Sequence, residues 1–446
     1  MKFSKERKQN SIYSLSGAES GGETYTGSLT VPAGASWFRK LLAFTGPGFL
    51  VAVGYMDPGN WATDIAGGSQ FGYRLLFVIV LSNLMAVILQ TLSGKLGLVT
   101  GKDLAQVCRE RFNPAVVIML WVLAELAIAA TDLAEVIGSA IALNLLFGIP
   151  ILYGVIITAV DVLLILLLQN KGVRTLESIV IVLMGTIAVC FAIDLFMAHP
   201  SNSGIFHGLV PDTEVLRNPE MLYIAIGILG ATVMPHNLYL HSSIVKSRKI
   251  ENTVKAKKEA IHYTTIDSTI ALTIAMFING AILVVSAAAF HQAGMFDVAD
   301  ITDAYHLLTP LLGTTVASIL FGIALLASGQ NSTLTGTLTG QIVMEGFLNI
   351  RLPAWLRRLA TRLIAIIPAV IVTAIAGEKG TADLLILSQV ILSLQLPFAV
   401  IPLVMFTSSK KMMGEFVNKK WLSILSWIIA GIIVILNVCL LALTLF

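Results

Sequence analysis

The sequence predicts an all-α integral membrane protein of about eleven transmembrane helices, folded as a five-plus-five inverted repeat with helices 1 and 6 broken. Three observations predict it. The first is composition: 446 residues, 56% hydrophobic and 12% charged, with a mean hydropathy of +0.85. Soluble domains carry roughly 25% charged residues. Half that value, in long uncharged runs, makes the lipid bilayer the main solvent. The second is the recurrence of apolar runs long enough to cross a bilayer, which takes about 20 residues. The third is a short pattern, x-Pro-x-Asn, that occurs at Asp57-Pro58-Gly59-Asn60 and again at Met234-Pro235-His236-Asn237.

Taken in order, residues 1–36 are polar, rich in Ser, Gly, Thr and Lys, and lack the apolar core and cleavage site of a signal peptide. They read as a flexible cytoplasmic tail. Spans follow at 41–68, 74–98, 115–147, 150–169, 177–198, 220–245, 259–290, 309–347, 356–376, 382–406 and 421–446. Lys and Arg fall in the tail (Lys2, Arg39, Lys40) and in alternate loops (Lys102, Arg109; Lys171, Arg174; Lys246, Arg248; Arg357, Arg358; Lys410, Lys419). The intervening loops are poor in both, and 291–306 has neither. The positive-inside rule then places the N-terminus in the cytoplasm, and an odd span count places the C-terminus outside. The two x-Pro-x-Asn copies lie five spans apart and so enter from opposite sides. That is the mark of inverted repeats: 37–200 holds helices 1–5, 201–408 holds helices 6–10, and 409–446 adds an eleventh.

Net charge is only +3, with the basic residues in loops, which excludes a nucleic-acid groove. Cys108, Cys190 and Cys439 have no spacing that suggests a disulfide framework, a zinc site or an iron–sulfur site. Nothing in the sequence selects an oligomeric state.

Proline within a span removes a backbone donor and clashes with the preceding turn. Both x-Pro-x-Asn stretches are therefore expected to unwind, and unwound backbone is tolerated only where it lines a protein-walled or wet cavity. Paired interruptions in inverted halves point to a substrate site near the midplane. A proline kink for packing alone needs no aspartate, and a carboxylate at the bilayer centre costs at least about 2.5–3.5 kcal/mol. Asp57 therefore reads as the partner of a cation or a proton, with the Asn60 amide one turn on. Across the repeat stands Met234. A thioether gains little with Mg²⁺ or Ca²⁺ and favours borderline ions such as Mn²⁺ and Fe²⁺. With 14 methionines in the chain, ordinary packing is the alternative for Met234.

Three stretches carry a family resemblance: the DPGN of the first span, Met234–Ser242 (MPHNLYLHS) and Gly329–Phe347 (GQNSTLTGTLTGQIVMEGF). From about Phe38 onward the chain resembles the Nramp divalent-metal transporters, proton-coupled importers with the inverted-repeat fold first described for an amino-acid transporter. The resemblance implies metal ligation by Asp57, Asn60, Met234 and the Ala231 carbonyl, with carbonyls near Gly54 and Tyr55. It also implies a tenth-span glutamine, placed at Gln395 by the SLQLPF stretch. The chain departs from the pattern at Asn331, where serine is commoner. The resemblance also implies that some relatives that carry Mg²⁺ lack the methionine, so Met234 favours a transition metal.

Coupling to protons needs titratable groups away from the metal. Glu125, Asp132 and Glu135 share one face of the third span, at spacings of seven and three. They read as a proton path, with Arg362 as a cationic partner and His236 and His241 near the second break. Packing and hydrogen bonding is the bland account of these residues. The roles of Asp161, Asp267 and Asn279 stay open.

The expected function is a secondary transporter of Mn²⁺ or Fe²⁺ with H⁺ in a bacterial plasma membrane, with no cofactor. The alternatives are a sodium-coupled carrier of amino acids or other organic solutes, a Mg²⁺-type relative, an ion channel or a membrane enzyme. Asp57 would repel a substrate carboxylate. A channel filter is generally built by several subunits on a symmetry axis. No HExxH, GxSxG or paired catalytic carboxylates occur.

Overall fold

The computed structural model describes residues 29–30, 36–158, 172–313, 315–350 and 353–445. Residues 1–28 of the expected tail and Asp161 fall outside them, as does the side chain of Arg362. Among the described residues the only strands are two-residue segments, β1 (Leu29–Thr30) and β2 (Arg248–Lys249), paired in parallel. All other regular structure is helical.

The first expected span is three helices, α1 (Trp37–Phe44), α2 (Pro47–Gly54) and α3 (Pro58–Phe71). α4 (Leu76–Thr100) is the second span, and α5 (Leu104–Arg111) is a short helix after it. α6 (Pro114–Phe147) is the third, α7 (151–158) is the described start of the fourth, and α8 (Val173–Met197) is the fifth. Beyond α9 (Asn202–Gly208), the sixth is again divided, into α10 (Pro219–Thr232) and α11 (Pro235–Ile244). α12 (Val254–Ser286) is the seventh and continues into a π-helical turn, Ala287–His291. Then come α13 (Ile301–Leu312), α14 (Thr315–Leu348), α15 (Ala354–Thr407), α16 (Lys410–Met413) and α17 (Lys420–Leu445).

Two boundaries differ from expectation. The stretch 291–306, read as a loop, gives way to α13 at Ile301, because the Asp300 carboxylate accepts from Thr302 N–H at 2.6 Å and caps a new helix. Gly313, at φ +72°, ends it, so the eighth span starts at Thr315 rather than 309. The ninth and tenth spans are expected at 356–376 and 382–406, yet α15 runs unbroken through the intervening Gly377-Glu378-Lys379-Gly380. Glu and Lys are good helix formers, and no proline lies between Pro368 and Pro397 to stop the helix.

Eight described stretches are long and apolar enough to cross a membrane. Their burial orders them. In the stretch containing α10 and α11, 94% of the most apolar window is buried, against 33% for α8 and 33% for α17. The sixth span is thus the centre of the bundle, and the fifth and eleventh are its rim. α6 packs along both α14 and α15, and α12 packs along α2, α3 and α4.

One end of the bundle is tied by charge. The buried Arg248 guanidinium makes a two-pronged contact with Glu177 of α8 at 2.5 and 3.1 Å. It also donates to the carbonyls of Ala43 and Thr45, at 3.2 and 2.9 Å. Asp267 of α12 accepts from the N–H groups of Gly46 and Gly48, at 3.2 and 2.7 Å, and so caps α2. Gly46 has φ +139°, and a Cβ there would lie 2.2 Å from the Glu177 carboxyl carbon. Only glycine fits that junction on both counts.

Candidate functional site

Each break is also a helix start. Tyr55 and Met56 leave α2, and Asp57 takes an extended conformation (φ −68°, ψ 166°) as the N-cap of α3, with Pro58 in the first helical position. The Asp57 Oδ1 accepts from the backbone and side-chain N–H groups of Asn60, both at 2.8 Å. Asp-Pro-x-Asn therefore breaks one helix and caps the next. The second break differs in one respect. Met234 occupies the same N-cap position (φ −63°, ψ 122°) ahead of Pro235, but a thioether supplies no capping oxygen.

The two breaks touch. The Asn237 side-chain amide donates to Val51 O at 3.3 Å and stands 3.7 Å from the Met234 sulfur. A Cβ on Gly54 would lie 2.3 Å from that amide nitrogen, so glycine at 54 permits the approach. Asp57, Asn60, Ala231 and Met234 are all at most 1% exposed. Met234 packs against Ala127 of α6 and Leu392 of α15.

The unwound carbonyls are served by side chains. Gly54 O accepts from Asn60 at 3.4 Å, and Tyr55 O accepts from Asn279 of α12 at 2.8 Å. Met56 O accepts from the Trp61 indole at 3.2 Å and from the Ser328 hydroxyl of α14. This settles where Asn279 points: it reaches the first break and also approaches Asn60 Oδ1 at 3.4 Å. Asp267 has a place too, as the cap of α2.

Several acceptors are left over. The Asp57 carboxylate is buried, with the Gly59 N–H and the Gln389 amide as its further polar neighbours, and its Oδ2 makes no close hydrogen bond, as is the case for Asn237 Oδ1 and Asn279 Oδ1. An unsatisfied buried carboxylate oxygen is costly unless a cation or proton occupies it. The site thus offers an anionic oxygen, neutral amide oxygens and a sulfur at the junction of two broken helices.

Residues 48–443 match the model of the Nramp family, described as natural resistance-associated macrophage protein-like. The chain belongs to the Nramp family. Among its relatives is a protein of Nostoc sp. named divalent metal cation transporter MntH, 64% identical over 414 residues, which are 93% of this chain and 94% of that one. A Bradyrhizobium diazoefficiens protein of the same name is 62% identical over 94% of this chain and 93% of its own length. A crystal structure of an Eremococcus coleocola manganese transporter superposes with a TM-score of 0.87 at 43% identity, covering 93% of this chain and 89% of that one. Mhp1, a nucleobase-cation-symport-1 transporter, shares the fold at a TM-score of 0.61 and 16% identity, over 90% of this chain and 91% of its own.

In this Nramp chain the glutamine against the first break is Gln389, whereas the family resemblance had been carried to Gln395. A Cβ on Gly59 would lie 1.7 Å from Gln389 Nε2. Gln395 is six residues further along α15, about 240° round the helix, where its side chain approaches the Tyr239 hydroxyl of α11. Both residues sit in one apolar run, and spacing alone does not choose between them. The glycine of DPGN was the available signal, because it leaves room for a facing side chain.

The acid row divides in two. Asp132 and Glu135 are fully buried and face α14 at Gly336, where a Cβ would lie 3.0 Å from Glu135 Oε1 and 3.3 Å from Asp132 Oδ1. Asp132 also acts electrostatically on His236, two residues beyond Met234. Glu125 is only half-buried and accepts from the Trp121 indole at 3.1 Å. His241 contacts Gln90 at 3.0 Å, and Gln90 donates to the Tyr55 hydroxyl at 2.8 Å. A polar chain thus leads from α11 back to the first break, and only its histidine was singled out in the sequence.

Proposed function

We propose that this Nramp chain is a secondary transporter that imports divalent transition metals, Mn²⁺ and Fe²⁺, by alternating access coupled to protons. The observation that carries the reading is the buried Asp57 carboxylate at the contact between two broken helices, whose Oδ2 makes no close hydrogen bond. The names of relatives at 62–64% identity, divalent metal cation transporters, and of the manganese transporter at 43% support it. The chain is not an enzyme, and metal is its cargo.

In this reading Asp57 and Asn60 supply hard oxygen donors and the Met234 sulfur supplies softness. Ala231 and Gln389 complete the shell as the halves close. Sulfur weakens competition from the commoner Ca²⁺ and Mg²⁺ because those ions prefer oxygen alone. An arriving dication disfavours a proton on Asp57, since a nearby positive charge stabilises the carboxylate. The released proton leaves through His236 toward Asp132 and Glu135, then toward Arg362. Glu125 lies further along the same helix.

The repeats 37–200 and 201–408 move against each other around this site, with the helix at 409–446 outside them. The Lys and Arg bias supports a tail on the cytoplasmic side of a bacterial plasma membrane. A sodium-coupled carrier of organic anions is disfavoured by Asp57, whose charge opposes a substrate carboxylate.

The test is Mn²⁺ uptake by the purified chain in liposomes, with and without an inward-directed proton gradient and with Ca²⁺ and Mg²⁺ as competitors. Gradient-stimulated uptake that resists both competitors supports the reading. Uptake indifferent to the gradient, or blocked equally by Ca²⁺, overturns it.

A further inference from the structure

Behind α10, on the side away from the site, lies an apolar cavity of about 280 Å³. Leu81 and Met85 of α4, Leu222 and Leu229 of α10, and Ile432 and Leu436 of α17 line it. Its end is formed by Pro211–Thr213 and by Leu216 of the adjoining helical turn. The walls grade from inside to outside: Leu222 and Leu229 are 1% and 2% exposed, Leu81 and Leu216 are 46% and 63%. The slot is therefore continuous with the face this membrane protein turns to lipid.

Three chemistries could fill it. Water is excluded, because a cavity this apolar offers few of the two to four polar partners a buried water needs. A charged group is excluded too: Asp212 at the end of the slot is already paired with Arg74 at 2.6 Å. Hydrocarbon remains, and the bilayer supplies it. At about 30 Å³ per water-sized group the volume takes roughly nine in a row, the scale of part of one acyl chain.

The opposite face of α10 gives the slot a consequence. A Cβ on Gly227 would lie 3.0 Å from the Thr63 methyl of α3, and one on Gly230 would lie 2.1 Å from Gln389 O of α15. α10 is thus pressed against α3 and α15 on one side and backed by the slot on the other. It ends at Thr232, two residues before Met234.

We propose that the slot binds one acyl chain of a bilayer phospholipid, from the leaflet on the Pro211–Thr213 side, and that this chain braces α10. A half-helix that moves during transport then moves against a lipid, and lipid chain shape sets its rate. The binding step rests only on membrane embedding; the bracing step rests on the transport reading above.

The experiment uses the full chain in liposomes containing a phospholipid with a photoreactive acyl chain, mapped by mass spectrometry. Labelling is expected on residues 77–85, 222–229 and 432–436 at about tenfold the level at Val182 and Phe277, which are each 67% exposed on the lipid face. Ala225→Phe, whose ring fills the slot, lowers slot labelling and leaves the two reference positions unchanged. Ala225→Val, a smaller filler, keeps the test valid where the phenylalanine variant fails to fold. Slot labelling no higher than at Val182, or unaffected by either filler, overturns the site. Mn²⁺ uptake in straight-chain against branched-chain lipids then tests the brace. The wild-type rate should differ about threefold and the Ala225→Phe rate should not; equal sensitivity overturns bracing. Loss of all uptake in the wild type contradicts the transport reading while leaving the labelling result intact.

Discussion

The Asn237 amide that donates to Val51 O at 3.3 Å also lies 3.7 Å from the Met234 sulfur. One side chain therefore joins the second broken span to the end of α2, three residues before Asp57 enters at position 57. The two breaks form a single polar junction inside an apolar bundle. The buried Asp57 carboxylate belongs to that junction.

Asp57→Asn preserves the cap of α3, because asparagine caps as well as aspartate. It removes the charge. Mn²⁺ uptake in liposomes is expected to fall at least about 100-fold, with helicity and melting temperature close to wild type. Uptake at the wild-type rate would show that the buried carboxylate does not hold the ion.

Met234→Ala removes the sulfur and leaves the hard donors in place. Competition of Ca²⁺ against Mn²⁺ should rise by about tenfold, equivalent to about 1.4 kcal/mol. Some Mn²⁺ transport should persist. An unchanged competition constant means that softness plays no part in selection.

Gly336 is the point where α14 meets the acid pair. Gly336→Ala puts a methyl 3.0 Å from Glu135 Oε1 and pushes the carboxylates aside. Overpacking of this kind typically costs about 1–3 kcal/mol. The expected signature is a lowered melting temperature together with Mn²⁺ uptake that no longer responds to the proton gradient. A stable variant with full gradient response separates these acids from coupling.

Arg248→Met leaves the buried Glu177 carboxylate beside Thr45 and Gly46 with the half-exposed Arg174, at 3.0 Å, as its remaining cation. Breaking a buried pair is worth about 3–5 kcal/mol, whereas replacing both partners with apolar groups is far milder. Thermal unfolding in detergent should therefore show Arg248→Met much less stable than the double variant Arg248→Met with Glu177→Leu. Equal loss in both means that the pair, rather than the stranded charge, carries the stability.

The breaks were legible in the sequence because proline and aspartate inside an apolar run have few uses. Asp57, Asn60 and Met234 stand where the x-Pro-x-Asn copies put them. Gln389 was not legible, since Gln389 and Gln395 lie in one helix and only the facing Gly59 distinguishes them. Asn279 was noticed without a role, because its partner, the Tyr55 carbonyl, becomes available only once α2 unwinds. The junction of α13 was missed because a side-chain cap at Asp300, not an apolar run, starts that helix. The Arg248–Glu177 contact joins residues 71 apart in the chain, and no local pattern encodes it.

The central claim is that one divalent ion sits between Asp57 and Met234. Crystals of the chain soaked in Mn²⁺ and recorded at the manganese absorption edge test it most directly. One dominant anomalous peak is expected within ligand distance of an Asp57 carboxylate oxygen and the Met234 sulfur, absent from Asp57→Asn crystals. A dominant peak elsewhere, or one that survives in the Asp57→Asn variant, contradicts it.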